Sequence, residues 1–296
     1  MPETSNALTL QMLLATYPNT SALKSGDVRS PLVDFAFADV KTANKAFKAL
    51  VREQKFDLGE LAIVTFLQAK AFHKPYVLMP AVIVARGQHH TIFYNPERGH
   101  LAPSDLKGQR VGVRAYTQTT GTWVRGILEE EHGVDFRNIQ WVTFEDPHVA
   151  DYRDPPWVQR APAGKQLLQM LLDGEIDAAI FGSENPQGVV KPLIPEADAA
   201  AERWSNRHGG EPINHMMVVR ESLTESKPDA VREVFRLLKQ SAQASPKIGT
   251  LETVRFGVEA VRKSLETIID YSARQELIPR HVEVDELFND VTRRLA

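Results

Sequence analysis

Strand-like and helix-like hydrophobic patterns alternate along the first two thirds of this 296-residue chain, and that alternation restricts its fold more than any other feature. Residues 8–16 read as a strand, 42–51 as a helix with Ala43, Ala46, Phe47 and Leu50 on one face, and 61–64 as a buried strand entering a helix over 65–72. Strands at 76–86 and 91–94 flank a Gly87-Gln88-His89-His90 turn. Further strands fall at 110–113, 139–144 and 178–181, with helices after Thr119 and over 165–172. Such a chain packs helices against mostly parallel sheets, so the expected class is α/β. Beyond a strand at 215–219 the pattern turns helical, over 228–244 and 250–275, with Val231, Val234, Phe235 and Leu238 at core spacing. An apolar stripe of this kind fits either a core or a homo-oligomer interface.

Two strands ending in arginine, AVIVAR at 81–86 and MMVVR at 216–220, bracket a central block of ordinary domain size. The expected organisation is two α/β lobes joined by two crossing strands, with a ligand cleft between them. Residues 1–86 and 218–296 form the first lobe, and 87–217 the second. Composition then narrows the function. The 35 basic and 38 acidic residues give a net charge of −3 and are interspersed, which argues against nucleic acid or an anionic membrane as partner. Cysteine is absent, which removes disulfides, thiolate metal sites and cysteine nucleophiles. Apolar runs reach about ten residues, short of the roughly 20 that a membrane span needs. The N-terminal segment has no basic stretch and its apolar part is broken by Thr9 and Gln11, so a cytoplasmic protein is expected.

The segment 106–134, LKGQRVGVRAYTQTTGTWVRGILEEEHGV, carries a strand through a hydroxyl-rich loop into an amphipathic helix. Amides at a helix start point outward with partial positive charge, so Tyr116, Thr117, Thr119 and Thr120 suit a carboxylate cradle, while one threonine alone would serve as a cap. Arg114 either reaches the cleft rim or pairs with a surface acid. Gly182 and Ser183 follow a strand end, where open α/β sheets bind ligands, and Tyr17 and Thr65 hold the equivalent places in the first lobe.

The chain resembles the type II periplasmic-binding-protein fold over nearly its whole length, through DLKGQRVGV, GEIDAAIFG and the two bracketing strands. Within that fold it resembles the 4,5-dihydroxyphthalate decarboxylase family, through FDLGELAIVTFLQAKA, GQHHTIFYNPERG and RVGVRAYTQTTGTWVRGIL. The resemblance implies a cytoplasmic carboxy-lyase acting on a small aromatic dicarboxylate held between the lobes. That reaction needs a proton at the ring carbon that bears the departing carboxylate, while a para hydroxyl feeds electrons into the ring. The ring is its own electron sink, so no cofactor is expected. A solute-binding protein that hands an aromatic acid to a transporter is the competing reading.

Histidines are the natural proton carriers. His89 and His90 are adjacent, so in extended backbone they face opposite ways and at most one meets the cleft, near Arg86 at the first crossing. His215 begins the second crossing. The expected acid and base are His215 with one of His89 or His90. The irregular stretch 144–160, FEDPHVADYRDPPWVQR, reads as a binding loop or a charged connector, and its Glu145, Asp146 and His148 form an alternative divalent-metal set.

Overall fold

The computed structural model describes residues 7–182, 186, 188–245 and 255–296. The first elements are β1 (Leu8–Leu13), α1 (Ser21–Ser25), β2 (Val33–Phe37), α2 (Phe47–Glu53), β3 (Leu58–Ala62), α3 (Ile63–Ala71) and β4 (Tyr76–Ala85). The central block holds β5 (Ile92–Tyr94), β6 (Arg110–Val113), α4 (Thr119–His132), β7 (Gln140–Thr143), β8 (Val158–Arg160), α5 (Leu167–Asp173), β9 (Ala178–Ile180), β10 (Lys191–Pro192) and α6 (Ala197–His208). The chain ends with β11 (Ile213–Arg220), α7 (Glu221–Ser226), α8 (Pro228–Ala244) and α9 (Val258–Arg274).

The strands form two sheets, ordered β2-β1-β3-β11-β4 and β10-β5-β9-β6-β7-β8. Both are mixed, where mostly parallel sheets were expected. The neighbours β2, β1 and β3 are parallel, as are β9, β6, β7 and β8. β11 runs antiparallel to β3 and β4, and β5 antiparallel to β9 and β10. The reason is connectivity: β5 and β11 each arrive from the other lobe and therefore enter their sheet from the cleft end. β11 pairs with β4 from Ile213 onward, so the chain rejoins the first sheet there, earlier than the boundary expected at 217/218.

β3 and α3 begin at Leu58 and Ile63, each earlier than the pattern suggested. All five residues of β3 and the first seven of α3 are buried, so no change of period marks the switch from strand to helix. The stripe Val231, Val234, Phe235 and Leu238 packs with Met79, Ile83 and Met217 and is core rather than an open face. Among the described residues no helix is long and apolar enough to cross a membrane.

This topology builds the cleft. In the first lobe the parallel strands β1 and β3 end, and the antiparallel β11 begins, at one edge of the sheet. In the second lobe β6, β7 and β9 end in the loops holding Thr117, His148 and Gly182. Ligands of α/β sheets bind at such strand ends.

Candidate active site

At the centre of the first lobe's contribution stands Glu60 in β3, fully buried. A buried carboxylate requires donors, and Glu60 has them. The Ala15 backbone N–H donates to Oε2 at 3.2 Å and the Tyr17 hydroxyl to Oε1 at 2.8 Å. His215 Nδ1 lies 3.3 Å from Oε1, at ion-pair distance but without hydrogen-bond alignment. Sheet register explains the meeting: His215 pairs with Ala62, two residues beyond Glu60, which places both side chains diagonally on one face. The His215 ring keeps a partly exposed edge.

Phe47, at the start of α2, joins this group to a second histidine. Its ring meets His215 edge-on at 5.3 Å and His148 edge-on at 5.4 Å. His148 comes from the loop after β7, and its Nδ1 lies 2.8 Å from the Thr65 hydroxyl of α3. Burial, and then the positive charges of Arg114, Lys48, Arg52 and His215, hold the His148 pKa down at about 3. The imidazole is therefore neutral at neutral pH. The first lobe grips the loop directly: Arg52 donates to the carbonyls of Pro147 and His148 at 2.7 Å each, and Lys74 pairs with Asp151 at 2.8 Å.

A pH prediction follows from His148. Its pKa falls from the ordinary 6.5 to about 3 on folding, so between those values the unfolded chain holds a proton that the native state lacks. Stability is thus complete above pH 6.5 and is lost as pH falls through that window, by about 1.4 kcal/mol per pH unit for one proton. His148→Gln is expected to flatten the dependence by that slope, measured by denaturant unfolding between pH 4 and 7. Parallel curves for the two proteins would contradict it.

Across the cleft Thr117, Thr119 and Thr120 are buried. Thr119 does not cap its own helix. Its hydroxyl accepts from Val64 N–H at 3.3 Å, so it serves the start of α3 and brings the two helix N-termini together. Thr120 receives a long contact of 3.5 Å from Asn214, whose carbonyl oxygen accepts from Gln88 at 2.7 Å. Arg86 donates to the carbonyl of Gly182 at 2.8 Å, and a Cβ added at Gly182 would stand 3.1 Å from the Gln118 amide nitrogen. Contacts running from Glu60 through His215, Phe47, His148, Thr65 and Val64 to Thr119 thus form one continuous wall.

Other expectations are corrected by the structure. Tyr116 is core: Arg125 lies 4.0 Å over its ring and the Trp157 indole N–H donates to its hydroxyl at 3.1 Å. His89 points the other way and meets Glu131 at 3.1 Å. Glu131 is twelve residues along α4 from Thr119, about 18 Å at 1.5 Å per residue, so His89 does not partner His215. His90 lies near Arg86 and Asp198, its pKa lowered by burial and the Arg86 charge. The metal set disperses: Glu145 pairs with Arg114 at 2.8 Å, Asp146 with Arg160, and His148 with Thr65. Among the described residues no three His, Cys, Asp or Glu side chains are placed to hold an ion. Ser183 lies outside the described residues. Glu60, the hub of the site, escaped the sequence reading, although a lone carboxylate inside the run LGELAIV was its available signal.

A two-lobed α/β cleft of this build is the type II periplasmic-binding-protein fold. The alkanesulfonate-binding protein SsuA of Xanthomonas axonopodis pv. citri superposes with a TM-score of 0.64 at 14% identity, covering 94% of this chain and 97% of that one. In sequence, 236 residues are 33% identical to a 4,5-dihydroxyphthalate decarboxylase of Comamonas testosteroni, covering 75% of this chain and 71% of that protein. A second 4,5-dihydroxyphthalate decarboxylase, from Pseudomonas putida, is 30% identical over 218 residues, 69% of this chain and 83% of that protein. No family model matches. The chain belongs to the 4,5-dihydroxyphthalate decarboxylase family.

Proposed function

We propose that the protein removes one carboxylate of 4,5-dihydroxyphthalate, or a close analogue, as carbon dioxide, and that His215 delivers the proton replacing it. The Glu60–Tyr17–His215 group in the cleft carries this reading. A carboxylate para to a ring hydroxyl leaves when its carbon accepts a proton and the hydroxyl releases its own to solvent, giving a dienone. As the carbon–carbon bond breaks, its electron pair restores the aromatic ring and leaves a phenolate, which takes a proton back from solvent to yield protocatechuate. Glu60, held by Tyr17 and the Ala15 amide, faces Nδ1 of His215 at 3.3 Å, which orients the ring and leaves Nε2 to serve as the acid. His148, kept neutral by burial and by the surrounding cations, is suited to hydrogen bonding and not to donating a full proton. The amides and hydroxyls at residues 117–120 hold the retained carboxylate.

The decisive experiment is incubation with 4,5-dihydroxyphthalate, following carbon dioxide and protocatechuate in equal amounts. Tight binding without release of either would support the solute-binding reading instead. A turnover rate unchanged by chelator is expected.

A further inference from the structure

We propose that Lys48 sets the specificity of this cleft by holding the second carboxylate of a dicarboxylate ring, so that the site prefers a dianion to a monoanion. The inference rests on the reading of the cleft as a site for an aromatic acid, and it adds the residue that counts charges.

Three observations meet at Lys48. It stands four residues before Arg52 on α2, hence on the same face one turn away. Arg52 already reaches the carbonyls of Pro147 and His148, so that face looks onto the cleft loop. Long side chains on a helix lean toward its N-terminus, which here is the end where Phe47 touches His148 and His215. The charge of Lys48 is also felt at the His148 ring, among the causes of its low pKa.

The charge balance gives this position its meaning. Arg114 is neutralised by Glu145 at 2.8 Å, and Glu60 faces His215 on the other side of Phe47. Arg52 spends its donors on uncharged carbonyls. Lys48 finds neither an ion-pair nor a hydrogen-bond partner among the described residues, although it is only half-exposed. Two guests explain a half-buried ammonium left open beside a neutral, buried histidine: a bulk anion of no consequence, or a substrate carboxylate. The second is favoured because α2 and the threonine loop at residues 117–120 flank the cleft from different lobes, so Lys48 and that loop can each take one of two ring carboxylates. An ammonium is a point charge that tolerates varied approach, which suits a carboxylate ortho to the one already anchored.

The test compares phthalate and benzoate, two unreactive rings that differ by one carboxylate, by titration calorimetry on the intact protein. Wild type is expected to bind phthalate more tightly by roughly tenfold to a hundredfold, the range of one charge-assisted hydrogen bond. In Lys48→Gln the preference should fall to about threefold or less through loss of phthalate affinity alone. Lys48→Arg should keep most of it, and the exposed Lys45→Gln should change nothing. Equal weakening of both ligands in Lys48→Gln, an unchanged preference, or no phthalate preference in wild type would overturn the assignment. Because the readout is binding, it separates the two ideas. A protein that releases no carbon dioxide yet loses its phthalate preference in Lys48→Gln supports Lys48 and removes the decarboxylase reading.

Discussion

His215→Asn is expected to lower kcat by roughly 10²- to 10⁴-fold, the contribution usual for one positioned proton donor. Phthalate affinity should change by no more than about threefold, because the substituted group acts on the ring carbon in the transition state and not on the bound carboxylates. Glu60→Gln keeps the volume and the Tyr17 hydrogen bond but removes the charge facing Nδ1, and should cost about 10²-fold. The double variant is expected to be little worse than His215→Asn alone, since the two act as a unit. Stopped turnover assays with calorimetric binding distinguish the outcomes. Wild-type kcat in His215→Asn would remove the proton-delivery assignment, and additive losses would uncouple Glu60 from His215.

The legibility of this site in the sequence follows the physics of each signal. The strand, hydroxyl loop and helix start at residues 110–120 are legible because they are contiguous in the chain. Tyr17, Thr65 and His215 were visible as strand-end residues for the same reason. Their partners were not, because each contact is made across the fold. Glu60 meets Tyr17 from 43 residues away, Thr65 meets His148 from 83, and Arg52 reaches Pro147 from 95. Local periodicity carries no record of such pairings. His89 misled because adjacency at a crossing says nothing about direction, and a single turn of 3-10 helix over His89–Thr91 aims its ring at Glu131. The acidic neighbours of His148 in sequence suggest a metal ligand, whereas burial, and then the cations Arg114, Lys48 and Arg52, two of them from another lobe, set its protonation.

Trp123→Ala is expected to be among the most destabilising single substitutions in the chain, at about 4 kcal/mol. Trp123 is fully buried in α4, meets Trp204 and Tyr271 edge-on at 5.6 Å each, and donates its indole N–H to the carbonyl of Ile213 at 2.8 Å. Truncation empties a volume bounded by α6 and α9 and strands a buried carbonyl, two costs that act together. Gly126, one turn along α4, leaves no slack for repacking: a Cβ there would stand 2.0 Å from the Tyr271 ring, so the α4–α9 contact is already as close as backbone allows. Ile213 opens the strand that carries His215 two residues later, which ties this packing to the proposed proton donor. Trp123→Phe keeps one aromatic ring at the site but loses the donor and the second ring of the indole, and should cost about 2–3 kcal/mol. Its kcat should fall while phthalate binding holds, because the strand leading to His215 loses its anchor. Thermal unfolding with kcat on both variants tests the argument: a melting temperature for Trp123→Ala within about 2 °C of wild type contradicts the packing claim, and an unchanged kcat in Trp123→Phe breaks the link to His215.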